Sequence, residues 1–429
     1  MTGAADRADG ADRASDPGPA ENRPENGAVP AGGLSYAAAG VDIGAGDRAV
    51  DLMRASVART ARPEVIGDIG GFAGLFDAAK LASYRHPVLA TSTDGVGTKV
   101  VIARRLGIYD TVGVDLVAMV ADDLAACGAE PLFMTDYVVC GAVRPEQVAA
   151  IVSGVAQGCA EAGCALLGGE TAEHPGHFGP DDFDLAGAAT GVVEKDEILG
   201  ASRVRAGDTV IAMASSGLHS NGYSLVREIV RRAGLDLEQD VPELGRPLGE
   251  ELLTPSRIYA RDCLALAAAC DVHAYAHITG GGLAANLARV MPPGVDAALD
   301  RATWTPPPIF GVLADAGAVP AAEMDRVFNM GVGMTAVVAR EDTDQALGVL
   351  EARGVNAWVL GEVVLARGGD PPEPPATRCS SPGGRPPGPP ATPRLWCSPG
   401  HRALARPGGP GSRPVGASLR RSVTCCGAR

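Results

Sequence analysis

Lysine is nearly absent from this chain: among 37 basic residues only Lys80, Lys99 and Lys195 are lysines, and the rest are arginines. Cysteine pairs with CxxC spacing are missing as well; of ten cysteines, four (Cys379, Cys397, Cys425 and Cys426) lie after residue 370. Cys127, Cys140, Cys159, Cys164, Cys263 and Cys270 lie scattered in apolar contexts without CxxC spacing, so they read as buried free thiols rather than metal ligands. No window approaches the ~18–20 apolar residues of a membrane span, and residues 1–33 carry acids and prolines where a signal peptide requires an apolar centre. A cytoplasmic protein with no membrane partner is expected. Positive charge is also in deficit, since 51 acids give a formal net charge of −14, which argues against nucleic acid as the main partner. The expected partner is a small molecule, with any anion held locally.

What is present suffices for a large core. At 429 residues and 46% apolar content the chain can build two domains or one elaborate one. The scarcity of lysine draws attention to Ser92-Thr93-Asp94-Gly95-Val96-Gly97-Thr98-Lys99, which follows the apolar run Pro87-Val88-Leu89-Ala90 and reads as the exit of a buried strand. Polyphosphate chemistry uses these parts: glycines admit backbone N–H groups to phosphate oxygens, a carboxylate holds Mg²⁺, and a lysine neutralises developing charge. The string is not a Walker A loop, and an ordinary strand-closing turn has the same spacing.

Residues 1–33 lack hydrophobic periodicity and read as a disordered leader. Gly40-Val41-Asp42-Ile43 then precedes a helical stretch, with Asp42 equally suited to capping it or to binding a ligand. Gly67-Asp68-Ile69-Gly70-Gly71-Phe72 is dense enough in glycine for a second backbone-lined loop. From residue 111, Leu116, Val120, Leu124 and Cys127 recur at helical spacing, with Asp110 as the expected N-cap. Asp115 and Asp122 share one face of that helix but lie about 10.5 Å apart along it, too far for one Mg²⁺. Asp123 is turned about 100° from Asp122, so at most one of that pair faces phosphate; a merely solvated helix face is the plainer alternative.

Residues 131–140 read as a strand, 144–163 as a helix and 164–167 as a short buried strand, predicting a repeating α/β wind. The last strand empties into Gly168-Gly169-Glu170-Thr171-Ala172-Glu173-His174, where a ligand is expected. A boundary is expected at residues 201–208. Strand 209–214 leads to Ser215-Ser216-Gly217-Leu218-His219-Ser220-Asn221 before an amphipathic helix, an entrance suited to anions, although Ser and Asn are also common caps. Helix 255–270 and strand 272–277 reach a third glycine loop, Thr279-Gly280-Gly281-Gly282. His277 beside it reads first as a satisfied core histidine. A strand at 356–365 is expected to close the sheet.

Jointly, several long strings resemble the phosphoribosylformylglycinamidine cyclo-ligase family, also called aminoimidazole ribonucleotide synthetases. They are Ser35-Tyr36, Ala39-Gly40-Val41-Asp42-Ile43, Gly70-Gly71-Phe72, Thr93 to Lys99, Asp115-Leu116-Val117-Ala118-Met119, Gly128-Ala129-Glu130-Pro131-Leu132, Gly168 to Ala172, Ser215 to Leu225, His277 to Gly282 and Phe328 to Met334. The resemblance implies an α+β fold: two α/β domains of the ATP-binding superfamily shared with selenophosphate synthetase, thiamine-monophosphate kinase and a hydrogenase maturation factor, with N-terminal sheets pairing in a homodimer. The expected domains are residues 34–200, for ATP binding and dimerisation, and 201–370, between the leader and a tail at 371–429. It further implies ATP and Mg²⁺ as cofactors and closure of the imidazole ring of aminoimidazole ribonucleotide in purine biosynthesis.

Carried onto this chain, the resemblance makes Asp94, Lys99, Asp123, Glu170 and His219 catalytic, with Asp94, Asp123 and Glu170 as metal ligands. Gly70, Gly71, Phe72, Gly95, Gly97, Thr98, Lys99, Gly168 and Gly169 would hold the nucleotide. Ser215, Ser216, His219, Ser220, Asn221, Thr279, Gly280 and Gly281 would hold the substrate, with His219 relaying a proton or only positioning. Two residues depart from the family pattern: Asp122 stands where Asn is usual, and His174 where Met is common. Rival readings are another phosphotransferase of the superfamily and an inactive nucleotide-binding homologue. Selenophosphate synthetase needs a reactive cysteine near its first glycine loop, whereas no cysteine precedes Cys127 here; the intact acids, Lys99 and His219 weigh against lost catalysis.

After Asp370 the composition changes to 14 of the chain's 33 prolines, nine arginines, one acid and no lysine. Such a tail cannot build a core. Truncation after Asp370 is expected to leave melting temperature and activity unchanged. Calorimetry and turnover of the shortened chain check this, and a large loss of either means the tail packs on the body.

Overall fold

The computed structural model describes Tyr36 and residues 39–366; the expected leader and tail lie outside the described residues. Two sheets organise the chain. The first half runs α1 (Ile43–Ala58), β1 (Val65–Ile66), β2 (Leu75–Phe76), β3 (Pro87–Gly95), α2 (Val100–Leu106), α3 (Asp110–Ala126), β4 (Glu130–Cys140), α4 (Pro145–Ala162), β5 (Ala165–Glu173) and β6 (Phe183–Glu194). Its main sheet has the order β3-β6-β4-β5. Only β4 and β5 pair in parallel, through the crossover helix α4, while β6 runs antiparallel to both its neighbours. The expected repeating α/β wind is thus confined to one unit, because strand alternation with helices does not by itself fix strand direction.

The second half runs β7 (Thr209–Ala214), α5 (Tyr223–Ala233), β8 (Asp240–Val241), β9 (Arg246–Pro247), α6 (Leu248–Leu252), α7 (Ala260–Ala269), β10 (Val272–His277), α8 (Gly282–Ala288), β11 (Val295–Leu299), α9 (Pro308–Gly317), α10 (Ala321–Val327), β12 (Val332–Val338), α11 (Thr343–Ala352) and β13 (Ala357–Leu365). Its sheet is wholly antiparallel, in the order β10-β12-β7-β13-β11. The strand at 357–365 therefore does not close the sheet. It lies inside, with β11 beyond it. Among the described residues no helix is long and apolar enough to cross a membrane.

Helix α3 is the hub. Thirteen of its side chains or glycines, from Val112 to Ala125, are buried, including Asp115 and Asp122. It packs on β3, β6 and α4 of its own half and on α7 and β10 of the other. The crossing with α4 is so close that a Cβ at Gly113 would lie 2.3 Å from Ile151 O, and one at Gly154 only 1.8 Å from Asp110 O. Only glycine fits there. Asp110 is the first helical residue rather than the cap, a place where its charge still complements the helix dipole. Cys127, just past the helix, is exposed; the other five thiols expected to be buried are so.

The halves are locked by charges that α3 presents. Lys99 Nζ is fully buried, pairs with Asp115 Oδ2 at 2.7 Å, and donates to His219 O at 3.0 Å and Thr254 O at 2.8 Å. Asp115 Oδ1 accepts the Ser256 hydroxyl at 2.6 Å and its N–H at 2.8 Å. One turn pair further along, Asp122 Oδ1 accepts Tyr259 N–H at 2.8 Å. Residues 254–259 are drawn straight along α3 by these bonds, which is why the helix expected over 255–270 begins only at Ala260. Burial pulls the Lys99 pKa down and Asp115 opposes the shift. Removing either partner of such a pair leaves a buried charge uncompensated, at a cost of about 3–5 kcal/mol. Lys99→Met and Asp115→Asn are each expected to lower the unfolding free energy read from urea titration by that order, with the combined Lys99→Met/Asp115→Leu variant recovering much of the loss. Single variants as stable as the parent protein refute the clamp.

Candidate active site

The residues expected to form one site fall into two places. The first is a cavity of about 730 Å³ walled by α1, the loop 68–74, the middle of β4 and strand β5. It gathers Gly70, Gly71, Phe72, Gly168, Gly169 and Glu170. Gly74 lies so near β5 that a Cβ there would be 2.5 Å from Leu167 O, which fixes the glycine loop as the rim. The Phe72 ring is fully exposed at this rim. Asp42 caps α1 by accepting Ala45 N–H at 3.2 Å and also lines the cavity, so both of its expected roles remain compatible with its place. Asp136, which sequence reasoning passed over, lines the same cavity with its carboxyl pushed up to about 7 by burial.

The second place is the junction of the halves. His277, at the end of β10, meets Asp123 of α3, with Nδ1 and Oδ1 3.0 Å apart. Asp94, at the end of β3, is close enough for its charge to act on both. Its carboxyl is raised by burial, lowered by the Gly95 N–H that it accepts at 2.7 Å, raised by Asp123 and lowered by His277. Burial alone would lower the His277 pKa. The hydrogen bond to Asp123 and the charges of Asp122, Asp123 and Asp94 outweigh it, so the net shift is upward. His277 is buried and hydrogen-bonded, as a satisfied core histidine should be; its partner Asp123 is not legible in the sequence, because nothing there shows that β10 and α3 meet.

Several assignments need correction. Asp94 is in register with Gly187, Gly187 with Asp136, and Asp136 with Gly169. Three strand spacings, about 14 Å, therefore separate Asp94 from the β5 strand that carries Glu170. Strand alternation also turns Glu170 to the opposite face. One Mg²⁺ with ligands at ~2.1 Å does not span Asp94 and Glu170 within one chain. Lys99 does not face phosphate either, because all three of its protons are spent inside the clamp. The loop it ends is a docking point: Val96 O accepts Ser220 Oγ at 2.9 Å, and the Thr98 and Ser224 hydroxyls lie 3.3 Å apart. Gly95 and Gly97 shape that turn, Gly97 at φ +73°.

His219 is not built to relay protons. It is 2% exposed, its Nε2 accepts Ser216 N–H at 3.2 Å, and burial drives its pKa down to about 3. Its backbone sits at φ +61°, a conformation that non-glycine residues hold only where surroundings impose it. The neighbouring hydroxyls are likewise committed. Ser215 Oγ donates to Gly217 O and Ser216 Oγ to Pro255 O, while Asn221 Oδ1 accepts Gly280 N–H at 3.0 Å. The loop Thr279-Gly280-Gly281-Gly282 is gathered by Asn286, whose amide donates to Thr279 O at 3.2 Å, Gly280 O at 3.3 Å and Gly282 O at 2.9 Å, with Gly281 as the residue before α8. The entrance that remains for an anion is the N-terminus of α5, which begins after Gly222 without a side-chain cap.

The descriptions "AIR synthase related protein, N-terminal domain" and "AIR synthase related protein, C-terminal domain" match residues 76–193 and 205–370. Phosphoribosylformylglycinamidine cyclo-ligase of Geobacillus kaustophilus is 50% identical over 335 residues, covering 78% of this chain and 96% of that protein. The enzyme of the same name from Paraburkholderia phymatum is 49% identical over 354 residues, covering 82% and 98%. The chain belongs to the phosphoribosylformylglycinamidine cyclo-ligase family. The fold is shared more widely: thiamine-monophosphate kinase from Stenotrophomonas maltophilia superposes with a TM-score of 0.53 at 19% identity, covering 74% of this chain and 94% of that one. The hydrogenase maturation protein HypE of E. coli gives 0.52 at 21% identity, covering 74% and 90%.

Asp122 is buried at the contact of α3 with the 254–259 segment. It is no additional metal ligand, since it points at the start of α7. Its Oδ2 is buried without a partner, and burial raises its pKa to about 7. A carboxyl raised in the folded state from 3.8 binds its proton more tightly than in the unfolded chain, so stability falls as pH rises from about 4 to 7. Asp122→Asn keeps an oxygen for Tyr259 N–H and removes that loss. The variant is expected to melt with the parent below pH 4 and above it at pH 8; a constant difference across this range contradicts the assignment.

Proposed function

We propose that the protein is an ATP-dependent cyclo-ligase that converts formylglycinamidine ribonucleotide to aminoimidazole ribonucleotide, releasing ADP and phosphate, in purine biosynthesis. The observation that carries this reading is about 50% identity to cyclo-ligases over nearly their whole length. The cavity between α1 and β5 suits the nucleotide: its volume lies in the usual range for small-molecule pockets, and glycines on two sides let backbone N–H groups approach. Domains at 34–200 and 201–370 are part of this proposal, and a separate sheet in each half supports the division. The homodimer is assigned to the first sheet, whose outer face leaves Leu89 60% and Tyr137 39% exposed. A cytoplasmic setting suits the free thiols.

Ring closure faces one chemical obstacle, the amide oxygen, which is a poor leaving group until it carries phosphate. Asp94 and Asp123 are two neighbouring carboxylates with no lysine or arginine among the charges acting on Asp94, a donor set that fits Mg²⁺ shared with phosphates. Among the described residues no group of three or more acids, histidines or cysteines forms a complete metal site; phosphates reaching from the cavity toward Asp94, three strand spacings from β5, would complete the coordination. When bound, Mg²⁺ would supply positive charge opposite the β- and γ-phosphates. His277 holds Nδ1 against Asp123, which orients the ring and leaves Nε2 to take the proton of the attacking amidine nitrogen. The uncapped start of α5 receives the ribose phosphate.

Substrate labelled with ¹⁸O in its formyl group is expected to deliver the label to inorganic phosphate; unlabelled phosphate at a normal rate of product formation overturns the reading. Asp123→Asn is expected to lower kcat about 10²-fold or more with the melting temperature unchanged, read by ADP release and calorimetry.

A further inference from the structure

Glu173, the last residue of β5, receives two backbone N–H groups from two different elements. Its Oε2 accepts Asp42 N–H at 2.9 Å and its Oε1 accepts Val143 N–H at 2.5 Å. Asp42 is the residue that caps α1, and Val143 lies in the connection from β4 to α4. The carboxylate therefore joins the entry of α1, the end of β5 and the approach to α4 at one point on the cavity wall. The approach is close there: a Cβ at Gly40 would lie 3.0 Å from Pro175 Cβ, and Gly40 has φ +95°.

The chemistry of the join requires a carboxylate. Two converging N–H donors need two acceptor oxygens on one planar group, which an ionised Glu supplies and a Gln does not, since its amide nitrogen meets the second N–H as donor against donor. The rest of α1 is fixed independently of Glu173. Arg48 pairs with Glu146, and the Ser56 hydroxyl donates to Ser153 Oγ at 3.2 Å, both toward α4. Loss of the Glu173 bonds thus frees the entry at 40–42 and leaves the helix body seated. That entry brings Val41 and Asp42 to the cavity, opposite Gly168 and Glu170.

We propose that Glu173 is a positioning residue that pins the entry of α1 across the nucleotide cavity and so sets the affinity for ATP without touching the reacting atoms. The inference rests on reading that cavity as the ATP site. Glu173→Gln in the full chain is expected to weaken binding of Mg-ADP about tenfold by titration calorimetry and to raise KM for ATP by the same factor. KM for the formylglycinamidine substrate, kcat and melting temperature stay as in the parent protein. Glu173→Asp, too short to reach both N–H groups, is expected to behave alike.

A second variant separates the two readings. A Cβ at Gly168 meets nothing within 4 Å, so the fold has room for Gly168→Val, whose side chain covers the bare backbone on that wall of the cavity. Loss of Mg-ADP binding in Gly168→Val together with the weakened binding of Glu173→Gln supports the proposal. If Gly168→Val abolishes binding while Glu173→Gln binds as the parent does, the role of Glu173 is overturned and the cavity assignment stands. If Gly168→Val binds Mg-ADP normally, the cavity assignment falls and the proposal with it. A parallel rise in both KM values with a lowered melting temperature marks general damage to the fold and equally overturns it.

Discussion

The buried pair of Lys99 and Asp115 is the constraint on which the rest of the molecule depends. An ammonium taken out of water is tolerable only if each of its protons is received, and here the acceptors come from both halves of the chain: Asp115 in α3, and His219 O and Thr254 O in connections of the second half. Asp115 and Asp122 both fix the 254–259 segment, and so set the register of α3 against it. The distance between His277 and Asp123 is a consequence of that register.

This explains why a lysine is used once at depth in a chain that elsewhere prefers arginine. A compact three-proton head fits three convergent oxygens; a planar guanidinium does not. It also explains the strain at His219. Its carbonyl is one of the three acceptors and its ring accepts Ser216 N–H, so two bonds hold the residue at positive φ. The hydroxyl-rich loop that resembled a phosphate cradle is therefore largely a structural staple. The electrostatically active junction is the Asp94, Asp123 and His277 group beside it.

Much of the architecture was legible in residues. Leu116, Val120 and Leu124 marked the central helix, the apolar runs marked β3, β4 and the start of β5, and the seven-residue spacing of Asp115 and Asp122 already excluded a shared metal. The glycine strings around Gly70 and Gly168 were recognisable as loops that could approach one ligand, and in the fold they line one cavity. Less legible were short elements such as β11 and α9, which carry little periodicity, and the direction of strands, which depends on crossovers rather than on composition.

By itself the sequence determined the family, the helix and strand content, and which residues were chemically able to act, because these follow from local pattern and from strings of matching residues. Only the tertiary structure decided which of them meet. Lys99 and His219 carry the right functional groups but spend them on other parts of the protein. His277 carries an ordinary imidazole that becomes significant because β10 ends against α3, and Glu170 is removed from Asp94 by the width of three strands. The physical reason is that a side chain's chemistry is local, whereas its hydrogen-bond partners, burial and neighbouring charges come from residues about 120 to 155 positions away. Such distances along the chain are set by packing.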